Sequence, residues 1–251
     1  MQHIWISAAA LCGASLIGSV LGFFIKDLPH RWNDTIIGYC AGIMLAASIV
    51  GLILPAIDLA SNYEVIFVVT GVIMGALFLN FLDHITPHLH HITGLDPEQH
   101  KNNASLNRIM LFVLAIAIHK FPEGMAAGIG FNTDDISNAW TVTAGLSLQN
   151  VPEGMVVISP LLLSGISKLR TLLISLLIAM LEIIGVWIGF VAGNISEQLL
   201  PFMLAFAGGA MLYVVSDEMI PETHAHGYQK SATYALLLGF LSLVLMERFF
   251  E

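Results

Sequence analysis

Eight apolar stretches, each about as long as a membrane-spanning helix, follow one another along the chain with mostly short connections between them. A helix needs roughly 20 mostly apolar residues to cross the hydrocarbon core of a bilayer. Only 11% of the residues are charged and 57% are hydrophobic, which excludes an ordinary soluble domain. The sequence therefore predicts an all-α integral membrane protein with eight transmembrane helices. The predicted spans are residues 4–25, 36–57, 64–82, 107–131, 138–163, 171–192, 200–221 and 232–249.

The connections leave almost no room for a soluble domain, so residues 1–251 are expected to form a single polytopic domain. The only connection of any size is residues 83–106, and it is rich in histidine. Tracts of this kind often bind transition metals weakly, and the alternative is a solvated loop that binds nothing. The histidines of this loop are His84, His88, His90, His91 and His100.

The charges exclude one class of partner and predict an orientation. A net charge of −9 argues against binding to nucleic acid. Seven of the nine Lys and Arg residues lie in or beside the connections that follow odd-numbered spans, whereas only Arg248 lies on the other side. Because cytoplasmic loops carry an excess of Lys and Arg, both termini are predicted to be extracytoplasmic and the 83–106 loop to be cytoplasmic.

Two very apolar spans are interrupted by nearly the same polar segment. "HKFPEGM" in the fourth span and "QNVPEGM" in the fifth share Pro-Glu-Gly-Met letter for letter. His119 and Glu123 are four residues apart and lie on one helical face, as do Gln149 and Glu153. Each proline removes one backbone hydrogen bond and frees a carbonyl that can serve a cation as a ligand. Interrupted helices in matching positions of inverted halves indicate the binding site of a transporter.

A second, shorter repeat extends this symmetry. "AGIML" at residues 41–45 in the second span is similar to "GGAML" at residues 208–212 in the seventh. The two spans of each repeat run in opposite directions across the membrane. Together the repeats predict a 3+2+3 inverted-repeat arrangement with the fourth and fifth spans at its centre.

The polar residues of these spans lie deep in the membrane. His119, Gln149 and Glu182 of the sixth span each fall about a dozen residues into their spans, near the bilayer centre at 1.5 Å per residue. An ionised side chain there costs on the order of 3 kcal/mol, so positive charge must meet the carboxylates. The candidates are Lys120, a protonated His119 or a bound metal ion. Imidazole, carboxylates and an amide oxygen suit zinc and neighbouring divalent ions.

Three other interpretations fit parts of this pattern. Glu123, Glu153 and Lys120 could form a structural ion-pair network, but this explains neither the doubled motif nor the prolines. A proton-coupled transporter of monovalent cations could use carboxylates and a lysine at this depth without histidine. An intramembrane metal-dependent hydrolase would place His and Glu on helices, but the His-Glu-x-x-His pattern is absent and no enzyme is predicted. Cys12 and Cys40 lie in apolar runs and indicate no thiolate metal site.

The motifs are similar to those of a known family. The chain resembles the bacterial type of ZIP (Zrt-, Irt-like protein) divalent metal transporters in "HKFPEG", "QNVPEG", the glutamate of "LEIIG" and "SDEMIPETHAHG". The resemblance implies transport of zinc into the cytoplasm, with iron, manganese, cobalt or cadmium as further candidates. It implies a multi-pass protein of the inner membrane whose partners are divalent metal ions and the lipid bilayer, without an organic cofactor. A homodimer is left open.

The resemblance also implies a two-metal centre between the fourth and fifth spans. The first site is implied to consist of His119, Glu123, Gln149 and Glu153, with Met44 nearby. The second is implied to share the two glutamates and to add Asn150, Glu182 and the residue at position 120. The family commonly has Asn where this chain has Lys120, and a charged lysine offers no lone pair. We therefore expect one tightly held ion per chain, with the Lys120 ammonium in place of the second.

Polar residues at the end of the seventh span predict an inner exit for the ion. The predicted exit consists of Asp217, Glu218, Glu222, His224 and His226, together with the loop residues His88, His90 and His91. The loops after the even-numbered spans carry acidic residues and no basic ones. Negative charge there would attract cations to an outer entrance.

Overall fold

The computed structural model describes residues 1–25, 29–61, 63–85, 104–163, 166–196 and 198–250, and the regular structure within these ranges is entirely helical. The all-helical prediction is confirmed. The long helices of the described chain are α1 Gln2–Gly22, α2 His30–Leu59, α3 Val65–Ile85, α4 Ala104–Gly130, α5 Ile136–Leu163, α6 Lys168–Gly193, α7 Leu200–His224 and α8 Gln229–Phe250. Their bounds follow the predicted spans closely, except that α2 begins at His30 and not at residue 36.

The composition of these helices is that of a multi-pass membrane protein. Within the described residues, six helices are long and apolar enough to cross a membrane, namely α1, α2, α3, α6, α7 and α8. The other two, α4 and α5, are 27 and 28 residues long and carry the two polar repeats. Large apolar side chains such as Leu177, Leu238 and Phe81 are exposed on the outer surface. A surface of this kind is expected to face lipid and not water.

The helix irregularities do not lie where the two repeats predicted them. Pro122 lies inside α4, and α5 continues through Pro152. Instead α2 and α7 each contain one π-helical turn, at Ile49–Ile53 and Val215–Met219. In both helices the second residue after the π turn is a proline. Single π turns inside α-helices occur frequently at functional sites, so these two turns are relevant to what the bundle does.

Glycines bring the helices into close backbone contact. A β-carbon at Gly18 of α1 would overlap the carbonyl of Val151 in α5. A β-carbon at Gly124 of α4 would in the same way overlap the carbonyl of Glu182 in α6. Small residues allow this approach between membrane helices, where van der Waals packing drives association. The most extensive packing joins α4 to α6, α2 to α8, α3 to α7 and α1 to α5.

Candidate metal centre

The ammonium of Lys120 lies at the centre of a buried polar cluster between α4 and α5. Its Nζ is 2.7 Å from Glu123 Oε2 and 2.8 Å from Glu153 Oε2. It also donates to Asn150 Oδ1 at 2.6 Å. The lysine is only 2% exposed, and each of the three protons of a charged ammonium has an acceptor. Lys120 is therefore a fully hydrogen-bonded buried cation, held by residues from both PEGM repeats.

Glu182 of α6 completes the same cluster from the other side. The amide of Asn150 donates to Glu182 Oε1 at 2.6 Å, and the hydroxyl of Ser15 in α1 donates to Glu182 Oε2 at 3.1 Å. The structure thus brings together Lys120, Asn150 and Glu182, the residues that the family resemblance implied for the second site. Ser15 was not foreseen, because one serine in an apolar helix carries no recognisable signal.

Gln149 joins the two glutamates of the first predicted site. Its Nε2 donates to Glu123 Oε1 at 2.8 Å and lies 3.4 Å from Glu153 Oε2. Its Oε1 is buried and has no hydrogen-bond partner among the residues that the structure describes. A buried acceptor without a partner costs about 1–3 kcal/mol, so such atoms in native proteins call for an explanation. A cation bound beside Gln149 would supply the missing partner.

His119 forms a contact that the sequence did not predict. Its Nε2 lies 2.9 Å from the carboxylate of Glu218, which belongs to the π turn of α7. Within the described part of the chain, no group of three His, Cys, Asp or Glu side chains is arranged to hold a metal ion. His119 is therefore paired with α7, while Glu123 and Glu153 are paired with Lys120 and Gln149. Binding of an ion through Nε2 requires His119 to leave Glu218, whereas binding through Nδ1 does not.

The sequence as a whole matches known proteins. The family model described as ZIP zinc transporter matches residues 98–247, which is more than half of the chain and includes both PEGM repeats. The chain belongs to the ZIP family. The zinc transporter GufA of Myxococcus xanthus is 37% identical over 95% of this chain and 96% of its own length. The zinc transporter ZIPB of Bordetella bronchiseptica is 34% identical over 96% of this chain and 79% of its own length. Both relatives are named as transporters and not as enzymes.

The second helix of this ZIP protein borders the centre. The thiol of Cys40 contacts the backbone carbonyl of Gln149 at 3.7 Å. Met44, implied as a neighbour of the first site, is 1% exposed and lies one turn further along the same face of α2. It packs in the apolar core. Met44 is thus beside α5, but no described contact joins it to the predicted ligands.

The residues of the predicted inner exit are only partly brought together. Asp217 and Glu218 lie in the π turn of α7, and Glu222 is exposed just beyond it. The Nδ1 of His224 is 2.8 Å from the carbonyl of Ile220 in its own helix. His226 pairs with Asp34 of α2, which the sequence analysis did not single out. The loop residues His88, His90 and His91 lie outside the described residues.

The connection between α2 and α3, which the charges predicted to be extracytoplasmic, carries an acidic residue beside α3. The backbone N–H of Ser61 donates to Glu64 Oε2 at 2.9 Å, and this hydrogen bond holds the pKa of Glu64 below its ordinary value. Glu64 is therefore ionised at neutral pH and contributes negative charge at this end of the bundle.

Proposed function

We propose that this ZIP protein carries divalent transition-metal ions across the membrane and into the cytoplasm. Zinc is the first candidate, and iron, manganese, cobalt and cadmium are further candidates. The ion would bind between α4 and α5 to His119, Glu123, Gln149 and Glu153. The observation that carries this proposal is the buried Oε1 of Gln149, which lies beside two carboxylates and lacks a partner within the described part of the chain. One imidazole, two carboxylates and one amide oxygen form a four-ligand set of the kind that zinc accepts.

The charges of the cluster favour one ion per chain. Glu123 and Glu182 are fully buried beside Lys120, and the side chain of Glu153 is 17% exposed, so their negative charges need compensation inside the membrane. One divalent ion together with the Lys120 ammonium balances three carboxylates. A second divalent ion would add charge that nothing offsets. It would also compete with Nζ for Glu123, Glu153 and Asn150, which already bind it at 2.6–2.8 Å. Lys120 therefore takes the place of a second ion, and Met44 remains a neighbour of the first.

A 3+2+3 inverted repeat accounts for the way the helices pair. In this arrangement α1, α2 and α3 correspond to α6, α7 and α8, and α4 corresponds to α5. The packing of α1 on α5 then matches that of α6 on α4, and the packing of α2 on α8 matches that of α7 on α3. The π turns of α2 and α7 correspond as well.

Glycine contacts support the same correspondence at the level of single residues. Gly18 and Gly22 of α1 lie against α5, and Gly185 and Gly189 of α6 lie against α4. The two methionines of the repeats are matched partners: Gly22 approaches the carbonyl of Met155, and Gly189 approaches that of Met125. The glycines of α1 and α6 are equally spaced and meet equivalent residues of α5 and α4. A two-fold relation between the halves would give this result.

The orientation follows from the basic residues. With Lys and Arg concentrated after the odd-numbered helices, the termini lie outside the cytoplasm and residues 83–106 lie inside it. The inner membrane of a bacterium is the matching location. The predicted exit at Asp217, Glu218, Glu222, His224 and His226 would then receive the ion, and His119 would contact that exit through Glu218.

Uptake into proteoliposomes tests the proposal directly. The purified protein is reconstituted with a zinc-sensitive dye inside the vesicles, and sodium uptake is measured in parallel. We expect zinc uptake by the unaltered protein and by the control variant His3→Ala, which lacks an imidazole far from the centre. We expect background uptake by His119→Ala and Glu123→Ala.

Two outcomes would contradict the proposal. Zinc uptake by His119→Ala at the rate of the unaltered protein would overturn the assignment of the site. Sodium uptake without zinc uptake would support the alternative of a monovalent cation transporter that uses the Lys120 network. Size-exclusion profiles of the detergent-solubilised variants establish that a loss of uptake is not a loss of folding.

A further inference from the structure

A second polar group lies at the end of the bundle where α2 begins and where the chain passes from α7 to α8. Asp34 of α2 is fully buried, and its Oδ1 lies 3.0 Å from Nδ1 of His226. Its other oxygen, Oδ2, is buried and has no hydrogen-bond partner among the described residues. The side chain of His226 is 30% exposed, so the imidazole reaches from the buried carboxylate to the surface.

A second histidine stacks on the first. His30 is the first residue of α2, and its ring centre lies 4.5 Å from that of His226 with 19° between the planes. His30 is four residues before Asp34 and therefore on the same face of α2. The backbone fixes the position of His226, because the following Gly227 has a φ of 88°, which side-chain-bearing residues rarely adopt.

This arrangement leaves imidazole nitrogens ready to bind a cation. When Nδ1–H of His226 donates to Asp34, the lone pair of the ring is at Nε2, on the side away from the carboxylate. A carboxylate that fixes a histidine in this way is the usual support of a metal-binding imidazole. The imidazole of His30 lies against this ring, and a neutral His30 would offer a second lone pair.

We propose that His226 and His30 form a second binding site for the transported divalent transition metal, at the surface of the bundle, with Asp34 as the positioning residue. The inference rests on the proposed function, because the ion is the same cargo. Zinc–nitrogen bonds of about 2.0–2.1 Å place two bound nitrogens roughly 3.3 Å apart. The lone pairs of the stacked rings lie in nearly parallel planes, so binding requires the exposed ring of His30 to rotate out of the stack towards Nε2 of His226. Two ligands make this site weaker than the one at His119, which suits an ion that is being released.

A purely structural role makes different demands on the same residues. An ion pair between His226 and Asp34 would join the α7–α8 connection to α2 without any need for His30. Replacement of His30 therefore distinguishes the two roles, because it removes a metal ligand and leaves the pair of Asp34 and His226 intact.

Equilibrium binding of Co²⁺ in detergent tests the proposal. The titration is made on the full chain carrying His119→Ala and Glu123→Ala, so that the ion between α4 and α5 does not contribute. We expect the addition of His30→Ala to remove one bound equivalent or to weaken it at least tenfold, and the addition of His226→Ala to do the same. Asp34→Asn should weaken this ion by about 10–100-fold, the usual effect of losing a supporting carboxylate. His3→Ala removes an imidazole at the start of α1, away from this group, and should change neither the cobalt stoichiometry nor the affinity.

Unchanged cobalt stoichiometry and affinity in the His30→Ala chain would overturn the proposal and leave His226 and Asp34 as a structural pair. The same titration on the protein with His119 and Glu123 intact separates this inference from the proposed function. If the core variants bind as many ions as the unaltered protein while His30→Ala binds one fewer, the transport site has been assigned wrongly and the surface site stands.

Discussion

Replacement of Lys120 by asparagine is expected to change both the stability of the protein and the number of ions it binds. Lys120 donates three hydrogen bonds and is the cation among three glutamates, two of which are fully buried. Removing one partner of a buried ion pair typically costs about 3–5 kcal/mol, because the remaining charges are left uncompensated. For a chain of this size such a loss lowers Tm by on the order of 10 °C. In the presence of a chelator, Lys120→Asn should therefore unfold well below the unaltered protein.

Zinc should reverse this loss, because the asparagine offers an oxygen where the ammonium offered only protons. A ligand at about a thousand times its Kd contributes roughly 4 kcal/mol, which is close to the expected deficit. We expect Lys120→Asn to bind two zinc ions and the unaltered protein one. The measurements are thermal unfolding by tryptophan fluorescence and metal content by mass spectrometry, each with and without zinc.

Two matched variants make the result interpretable. Lys120→Leu removes the charge without supplying a ligand, so it should be unstable in the chelator and bind no second ion. Lys168→Asn makes the same substitution at an exposed position at the start of α6 and should alter nothing. If Lys120→Asn binds a single ion and melts with the unaltered protein in the chelator, then Lys120 neither stabilises the cluster nor replaces an ion.

The remaining predictions concern other parts of the chain. Deletion of residues 88–100 should leave measurable zinc uptake in proteoliposomes, since the ligands lie elsewhere, and complete loss in a correctly inserted protein would contradict this. Gly124→Ala should lower Tm, because overpacking against the carbonyl of Glu182 costs about 1–3 kcal/mol. Gly13→Ala, where a β-carbon meets nothing within 4 Å, should leave Tm unchanged or raise it, and equal melting of the two variants would refute the packing argument. Ser15→Ala should cost about 1–3 kcal/mol by leaving Glu182 one hydrogen bond short.

Much of the fold is readable from the sequence, because the bilayer allows few alternatives. A chain that crosses the hydrocarbon core as single segments must pair its backbone groups within each segment, so long apolar stretches become helices. The Lys120 cluster is also readable, since spacings of three and four residues place polar side chains on one face of each helix. The polar faces of α4 and α5 are buried against each other, and the repeated motif on the two helices already indicated this pairing.

The contacts that escaped prediction share a physical cause. His119 and Glu218 are separated by 99 residues, and Glu218 lies in a π turn, where the 3.6-residue period no longer gives side-chain direction. The repeated proline after each π turn was the available signal for that irregularity. Asp34 resembles an ordinary charged residue near the start of a helix, and its burial against His226 depends on the close approach of α2 and α8 at Gly38 and Ala232.

The glycine contacts sort the eight helices into two bodies. The glycines that approach the backbone of another long helix do so either among α1, α4, α5 and α6 or among α2, α3, α7 and α8. Between the two sets, Gly51 and Gly145 meet only side chains of the opposite set. Hydrogen bonds that cross include those of His119 with Glu218, Cys40 with Gln149, and Asn138 with Gly51.

A sliding of one body past the other would break these crossing hydrogen bonds and leave every backbone contact of the glycines in place. The whole charged cluster belongs to the first body, namely Lys120, Glu123, Glu153 and Glu182. It would therefore move as a rigid unit, and the distances between its members would not change. Glu218 belongs to the second body and would stay behind. In such a sliding a bound ion would move together with its ligands, and the hydrogen bonds and side-chain packing between the two sets would be exchanged.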